Sequence, residues 1–500
     1  MEEHQAERAT RMSRTRMMII LLVSIRDASS QLSEKIRRAN VGVDRFPQHI
    51  LRVAYHIAAR IARKEAKIER KRLPVIRTGP ERQKNAPKRQ KRFAKGSDSM
   101  YTSKDCSGIR QEDREERTSL NELTFVIPTL FGVEGIAAEE LRRMGMDGVR
   151  AENGRVFCQG KPADIPRLNL RLRTGERVLI HLGTFPAATF DQLFEGTRKL
   201  PWDRFIPPTG QFPVKGHSLN SALHSIPDCQ RIVKKAVAVR LGKVYRHETL
   251  PETGALYQIQ FSIMKDTASL LLDTTGPGLY KRGYRAVGVA APLRETLAAA
   301  LVILSGYRGR DPFCDPFCGS GTIAIEAALI AKNRAPGLMR TFSAQKWAWL
   351  PSQDWVEAAG EAMDLEYDGD YDIWGGDIDP AAIRIAKENA VKAEVEDLVR
   401  FETADARTFS RCEPYGRIVT NPPYGERLME RREAEELYRD FGTAVRRLPT
   451  GWRINVLSSH TEFERTFGRN ADKKRKLYNG MLKCDLFQYG GKKPEKGKRA

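Results

Sequence analysis

Hydrophobic and polar positions divide the chain into three textures. Residues 1–120 sustain no apolar period: RIARKEAKIERKR reads as a basic helix and PERQKNAPKRQKRFAKGSDS as a linker. From residue 123, LTFVIPTLFGVEGIAAEELRRMG predicts a strand, a glycine break and an amphipathic helix, so a globular unit begins there. FPVKGHSLNSALHSIPDCQRIVKKAVAVRLG (212–242) predicts a strand, a polar turn and a helix starting near Pro227 and Asp228, where an early proline and an acid are favoured. YQIQFSIMKDTASLLLD (257–273) predicts two strands joined by a turn, and Gly276-Pro277-Gly278 closes that unit.

Beyond that break, strand and helix alternate. APLRETLAAALVILSG, GTIAIEAALIAK, PAAIRIAKENAVKA and a stretch from 432 predict helices; DPFCDPF, DIWGGDID, RFETAD, GRIVT and WRINVLSS predict strands. Such alternation argues for a doubly wound, mainly parallel α/β sheet, Rossmann-like in outline. Five hundred residues exceed what one core usually supports, so several domains are expected.

Charge modifies this picture less than its total suggests. The net +22 is concentrated at the ends: residues 1–120 carry +14, residues 471–500 carry +7, and the middle about +1. Basic ends suit either solvated tails or RNA contact, and charge alone leaves both open. The seven cysteines have no CxxC spacing and read as reduced thiols of a cytoplasmic protein, with no metal site. MMIILLVSI (17–25) is too short to span a bilayer and lacks a cleavage site, which argues against a membrane or targeting role.

In open α/β sheets, ligands bind at the carboxyl ends of strands, so the residues standing there carry the functional reading. DPFCDPFCGSGT (311–322) runs a strand into a glycine turn and a helix, and only its second DPFC copy has access to a ligand. Gly319 and Gly321 let backbone approach an anionic ligand near a helix N-terminus. GSGTIA also satisfies a dinucleotide pattern, but no ribose-binding acid follows at the expected distance. Asp377 supplies that acid later, suited to both ribose hydroxyls, while Asp379 before Pro380 is placed as a helix cap. Asp405 can receive an adenine amino group.

Asn421-Pro422-Pro423-Tyr424 is the most specific motif. The Asn421 side-chain carbonyl and the Pro422 backbone carbonyl can accept from a planar amino group and aim its lone pair. Tyr424 can stack on the plane bearing that group, and two prolines stiffen the loop.

Together, DPFCGSGT, GDID, TADA and NPPY resemble the class I S-adenosylmethionine-dependent methyltransferases that act on amino groups. The resemblance implies that Asp315, Gly319 and Gly321 surround the methionine end of the cofactor, Asp377 its ribose and Asp405 its adenine, with Asn421, Pro422 and Tyr424 forming the catalytic loop. FEGTRKLPWDRF, the 212–242 segment and LDTTGPGLYKRGYR resemble a ferredoxin-like plus THUMP arrangement that binds structured RNA. Over roughly 122–490 the chain is most similar to bacterial THUMP-containing 23S rRNA guanine-N2 methyltransferases, matching the amino-terminal half of the large two-domain version.

The implied division is a basic, flexible extension of unknown role (1–121), a ferredoxin-like subdomain (122–167), a THUMP domain (168–275), a methyltransferase domain (276–490) and a basic tail (491–500). The implied activity is methylation of a base amino nitrogen, guanine N2 in 23S rRNA or an assembling large ribosomal subunit. N6-adenine methylation of DNA or RNA, or a noncatalytic RNA-binding assembly role, are the alternatives, and a dehydrogenase is a third.

Several side chains admit two readings. Lys215, Arg231, Lys234 and Lys235 suit a solvated face or RNA backbone contact, Trp347 and Trp349 core or a stacking platform, and Lys281, Arg282 and Arg285 a hinge or a phosphate clamp.

Overall fold

The computed structural model describes residues 122–285, 293–424 and 431–490. The basic extension, MMIILLVSI and the basic tail lie outside the described residues.

The first part is built on a seven-stranded sheet in the order β2-β3-β1-β4-β7-β6-β5. Its strands are β1 (Leu123–Pro128), β2 (Asp147–Glu152), β3 (Arg155–Gly160), β4 (Leu179–Pro186), β5 (Val214–Leu219), β6 (Ile259–Met264) and β7 (Thr267–Asp273). All neighbours are antiparallel except β5 and β6. Alternation along β1 sends Phe125 and Ile127 into the main core. Helices α1 (Glu134–Arg143), α2 (Asp164–Arg171), α3 (Phe190–Lys199) and α4 (Ile226–Tyr245) cover that core. Helix α4 starts one residue before Pro227 with Asp228 in its first turn, and buries Cys229, Val233, Val237 and Leu241 at helical spacing. The β6–β7 turn places Lys265 and Asp266 both at left-handed φ, 51° and 57°, the geometry of a tight hairpin without glycine.

The boundary expected after residue 167 falls inside α2, and the segments on either side of it share one sheet. Hydrogen bonding is continuous from β1 to β4 and β7 across that sheet.

The second part is another seven-stranded sheet, ordered β10-β9-β8-β11-β12-β14-β13. Its strands are β8 (Phe313–Asp315), β9 (Ile373–Asp377), β10 (Val399–Thr403), β11 (Arg417–Thr420), β12 (Arg453–Ser458), β13 (Lys473–Asn479) and β14 (Leu482–Tyr489). Strands β10 to β12 are parallel, and β14 and β13 close the edge antiparallel. Helices α5 (Glu295–Leu304), α6 (Thr322–Ala331), α7 (Ser352–Asp364), α8 (Pro380–Lys392), α9 (Arg431–Arg446) and α10 (Phe463–Phe467) accompany them. Strand β8 is shorter than DPFCDPF suggests, because Pro312 and Pro316 flank it and cannot donate to a ladder.

The two parts are joined through their interiors. Phe342, Trp347, Leu350 and Trp355, all downstream of α6, belong to the core of the first part. Trp347 stacks on Tyr257 with ring centres 4.9 Å apart and donates its indole N–H to the Leu256 carbonyl at 2.9 Å. Trp349 donates to Phe205 O, also at 2.9 Å. Both tryptophans are therefore core rather than stacking platforms. Arg282 is buried as well: it bonds the carbonyls of Leu172, Arg173 and Leu279 and pairs with Glu326 at 3.4 Å. Its guanidinium is taken up inside the protein, which leaves it no exposed surface for a phosphate.

Candidate active site

The parallel register brings the chemically loaded strand ends to one edge. Asp315 ends β8 opposite Gly375 of β9, Asp377 pairs with Thr403 of β10, and β11 runs beside β8 on its other flank, ending one residue before Asn421. The strand order reverses between β8 and β11, so this edge is a topological switch point.

Asp315 is 1% exposed. Its Oδ1 accepts from the Thr420 hydroxyl at 2.6 Å and from the Phe317 amide at 3.3 Å, while Oδ2 is buried without a hydrogen-bond partner. Burial pushes this carboxyl up to about 7 against the lowering by Thr420 and Phe317, and the nearby Asp377 charge adds to the rise.

The glycine loop beyond it is clamped from three sides. The Gly319 amide donates to Asp377 Oδ2 at 2.9 Å, the Cys318 amide to the Gly376 carbonyl at 2.9 Å, and Asn389 Nδ2 to the Ser320 carbonyl at 2.9 Å. Gly319 (φ 50°) has open space where a Cβ would project. Gly321 (φ 81°) has none: a Cβ would stand 2.8 Å from the Phe401 ring and 3.0 Å from Ala386. Cys314 lies in β8, its sulfur accepting from Arg411 Nε at 3.4 Å.

Asp377 also accepts from the Asp379 amide at 3.0 Å, and Asp379 caps α8 through the Ala381 amide at 2.8 Å, as its place before proline predicts. Asp405 caps the short turn Ala406–Thr408. Both of its oxygens are taken by Arg407, at 2.6–3.0 Å, which holds the carboxyl below its usual range. It reaches the edge as a paired cap instead of an open acceptor.

Asn421 Oδ1 accepts from the Tyr424 hydroxyl, which also lies 3.8 Å from Cys484 Sγ. The Tyr424 ring packs against the apolar cluster around α5 and α6. It is folded onto the protein here, whereas the motif suggested an outward stacking surface. The buried Pro422 follows Asn421, and the Pro423 carbonyl accepts from Tyr438, so the loop is held from below.

Thr420 and Asn389, which hold Asp315 and the glycine loop in place, are positions that sequence reasoning missed. Asn389 shares the buried face of α8 with Ile383 and Ala386, and a fully buried amide at such a position was the available signal.

A partnerless buried carboxylate oxygen, an open space over Gly319 and an acid at the adjacent strand end form a cradle for a ligand with a cationic end and a hydroxylated ring. S-adenosylmethionine fits that donor set: Asp315 and the glycine loop would hold its methionine end and Asp377 its ribose. When bound, it supplies a methyl group activated by a sulfonium.

Comparison with known proteins agrees. Family models match as an RlmL ferredoxin-like domain over 124–179, a THUMP domain over 187–273 and an RMKL-like methyltransferase domain over 282–488. YpsC of Bacillus subtilis (strain 168), provisionally named an RNA methyltransferase, is 44% identical over 76% of this chain and 99% of its own length. A ribosomal RNA large subunit methyltransferase K/L of Marinobacter nauticus is 32% identical over 73% of this chain, which spans only 52% of that relative. Among solved structures, a Listeria monocytogenes protein named a predicted N6-adenine-specific DNA methylase is 46% identical, covering 77% of this chain and all of that one with a TM-score of 0.71. SMU.472, provisionally named a methyltransferase and complexed with SAH, is 40% identical, covering 75% of this chain and all of that one, also with a TM-score of 0.71. The fold, the cradle and these matches converge: the chain belongs to the THUMP-containing class I S-adenosylmethionine-dependent RNA methyltransferases.

Proposed function

We propose that this protein methylates an exocyclic amino nitrogen of a base in structured RNA, guanine N2 of large-subunit rRNA being the substrate that the resemblance favours. The observation that carries this is the place of Asn421: one residue past Thr420, whose hydroxyl holds Asp315 of the cofactor cradle. An amino group accepted by the Asn421 and Pro422 carbonyls there would lie at the strand edge where the cofactor's methyl is offered. The two carbonyls would orient the nitrogen lone pair toward the methyl group that S-adenosylmethionine would supply when bound. Asn421 Oδ1 accepts one hydrogen bond, from the Tyr424 hydroxyl, and its second lone pair could accept from an amino group. Asp405 would meet adenine only in competition with Arg407.

Residues 122–275 would hold the RNA and 276–490 receive the base, flipped out or single-stranded because a paired amino group cannot reach the cofactor. Among the described residues, Cys158, Cys229, Cys314, Cys318 and Cys412 are free thiols, in keeping with a cytoplasmic location. No described helix is long and apolar enough to cross a membrane.

Methyl incorporation into rRNA, tRNA and DNA, with the modified nucleotide mapped, tests the reading. Asn421→Ala is expected to abolish transfer and leave S-adenosylmethionine binding nearly intact. Incorporation into DNA alone would support the N6-adenine alternative, and turnover by Asn421→Ala would dismiss the role of the loop.

A further inference from the structure

Alternation along β1 leaves Val126 on the sheet face away from the main core, where it meets Leu179, Leu271 and the ring of Phe157. Apart from Met264, the residues lining this face around Phe157 are polar. Arg150 and Arg155 both lie over the Phe157 ring, their guanidinium carbons 5.1 and 5.0 Å from its centre, and His181 approaches it edge-on at 6.2 Å. Glu152 pairs with Arg150 at 3.1 Å and with Arg155 at 3.0 Å. Two cations share one carboxylate, so the cluster keeps a net positive charge.

Two depressions adjoin here. One of about 330 Å³ extends from Arg150, Arg155 and Phe157 past His181 to Ser262, and one of about 160 Å³ reaches Gln159 and Thr124. Both are lined by Arg150 and Phe157. The larger falls at the low end of small-ligand pockets, roughly 300–1,000 Å³, which suits one nucleotide and not a duplex. Besides Arg150, Arg155 and Glu152, its lining includes His181, Thr184 and Ser262, which can both donate and accept: His181 lies 2.9 Å from Thr184 Oγ1, and Ser262 Oγ lies 3.1 Å from His217 Nε2 behind it. Burial, then Arg155, lowers both imidazoles, which favours their neutral forms. Guanidinium planes held over an aromatic ring are a stacking surface for bases and a charge partner for phosphates.

We propose that this outward face holds a single-stranded RNA segment, its phosphates at Arg150 and Arg155 and its bases stacked on the guanidinium–Phe157 platform. It would be a second contact, separate from the base that is methylated, and it rests on the RNA reading above.

The test uses the full chain and a fluorescent single-stranded oligouridylate, with anisotropy read across a salt series and calorimetry with S-adenosylmethionine as the control for folding. Phe157→Ala is expected to weaken RNA binding about tenfold or more. Arg150→Gln is expected to flatten the logarithmic salt slope by about 0.7. Glu152→Gln, which releases both guanidiniums, should tighten binding, a sign opposite to that of structural damage. In rRNA methylation, Phe157→Ala should raise KM and leave kcat unchanged. Failure of the wild type to bind the oligouridylate, or unchanged RNA affinity in Phe157→Ala and Arg150→Gln with cofactor binding intact, overturns the proposal while rRNA methylation by the wild type keeps the functional reading. Should Phe157→Ala lose cofactor binding, the signs of Arg150→Gln and Glu152→Gln decide. A wild type that methylates no RNA would instead remove the functional reading itself.

Discussion

Thr420 donates its hydroxyl to Asp315 at 2.6 Å, tying the end of the strand that leads into the proposed amino-binding loop to the end of the strand that leads into the glycine loop. The two halves of the proposed site are thus one hydrogen bond apart in the fold, although 105 positions separate them in the chain. Thr420→Val removes the donor and leaves a second oxygen of a buried carboxyl poorly satisfied. The expected cost is about 1–3 kcal/mol of stability, with weaker S-adenosylmethionine binding. Denaturant unfolding and calorimetry measure the two effects.

Asp315 gives a pH dependence whose sign is fixed. Its carboxyl rises from an ordinary 3.8 to about 7 in the fold. Between those values the unfolded chain has released a proton that the folded chain retains, so this group destabilises the ligand-free protein progressively as pH climbs toward 7. Below 3.8 the penalty vanishes, and above about 7 it is constant. Melting temperatures of the wild type and Asp315→Asn should therefore diverge across pH 4–7, the wild type losing ground. Parallel curves would contradict the burial of an uncompensated carboxyl.

The two loop glycines should separate folding from binding. Gly321→Ala forces a Cβ to within 2.8 Å of Phe401 at a φ of 81°, so it should destabilise by roughly 1–3 kcal/mol and lose the cofactor. Gly319→Ala meets no protein atom and carries only a left-handed backbone penalty of about 1–2 kcal/mol. It should keep most of its stability and still lose S-adenosylmethionine affinity, because its methyl enters the ligand's space. Calorimetry beside thermal unfolding distinguishes the pair.

Trp347→Ala should be among the most damaging single changes away from the reaction centre. The side chain is 2% exposed, stacked on Tyr257 and hydrogen-bonded to Leu256. Large-to-small replacement of such a group costs about 3–5 kcal/mol. Unfolding experiments should show the loss, and both parts of the chain should become sensitive to protease together.

The strand-end places of DPFCGSGT, GDID and NPPY were legible in sequence because each is local, combining an apolar run, a turn former and a polar side chain within a few residues. The same locality explains the correct placement of Asp379 as a cap. What escaped reading depends on partners distant in the chain. Asp405 looked like an open acceptor, and competition from Arg407 could not be weighed without geometry. Tyr424 looked free to stack, and nothing in NPPY reveals that its hydroxyl closes on Asn421. The β13–β14 hairpin was missed because KKRKLYN has few apolar residues, and it joins the sheet only through β14, which pairs with β12. The Trp-rich segment kept two readings because its core contacts, Tyr257 and Phe205, lie about 90 and 144 positions earlier.

That tryptophan segment also constrains how these modules can be inherited. Phe342, Trp347, Leu350 and Trp355 belong by chain position to the methyltransferase portion but furnish interior surface to the first part. A recombination event that cut the gene near residue 281 would hand one descendant an empty socket and the other a greasy protruding finger. Grafting a different methyltransferase portion onto this first sheet would succeed only if the incoming piece brought its own plug, so the pair is expected to travel through evolution and through engineering as a single unit of exchange.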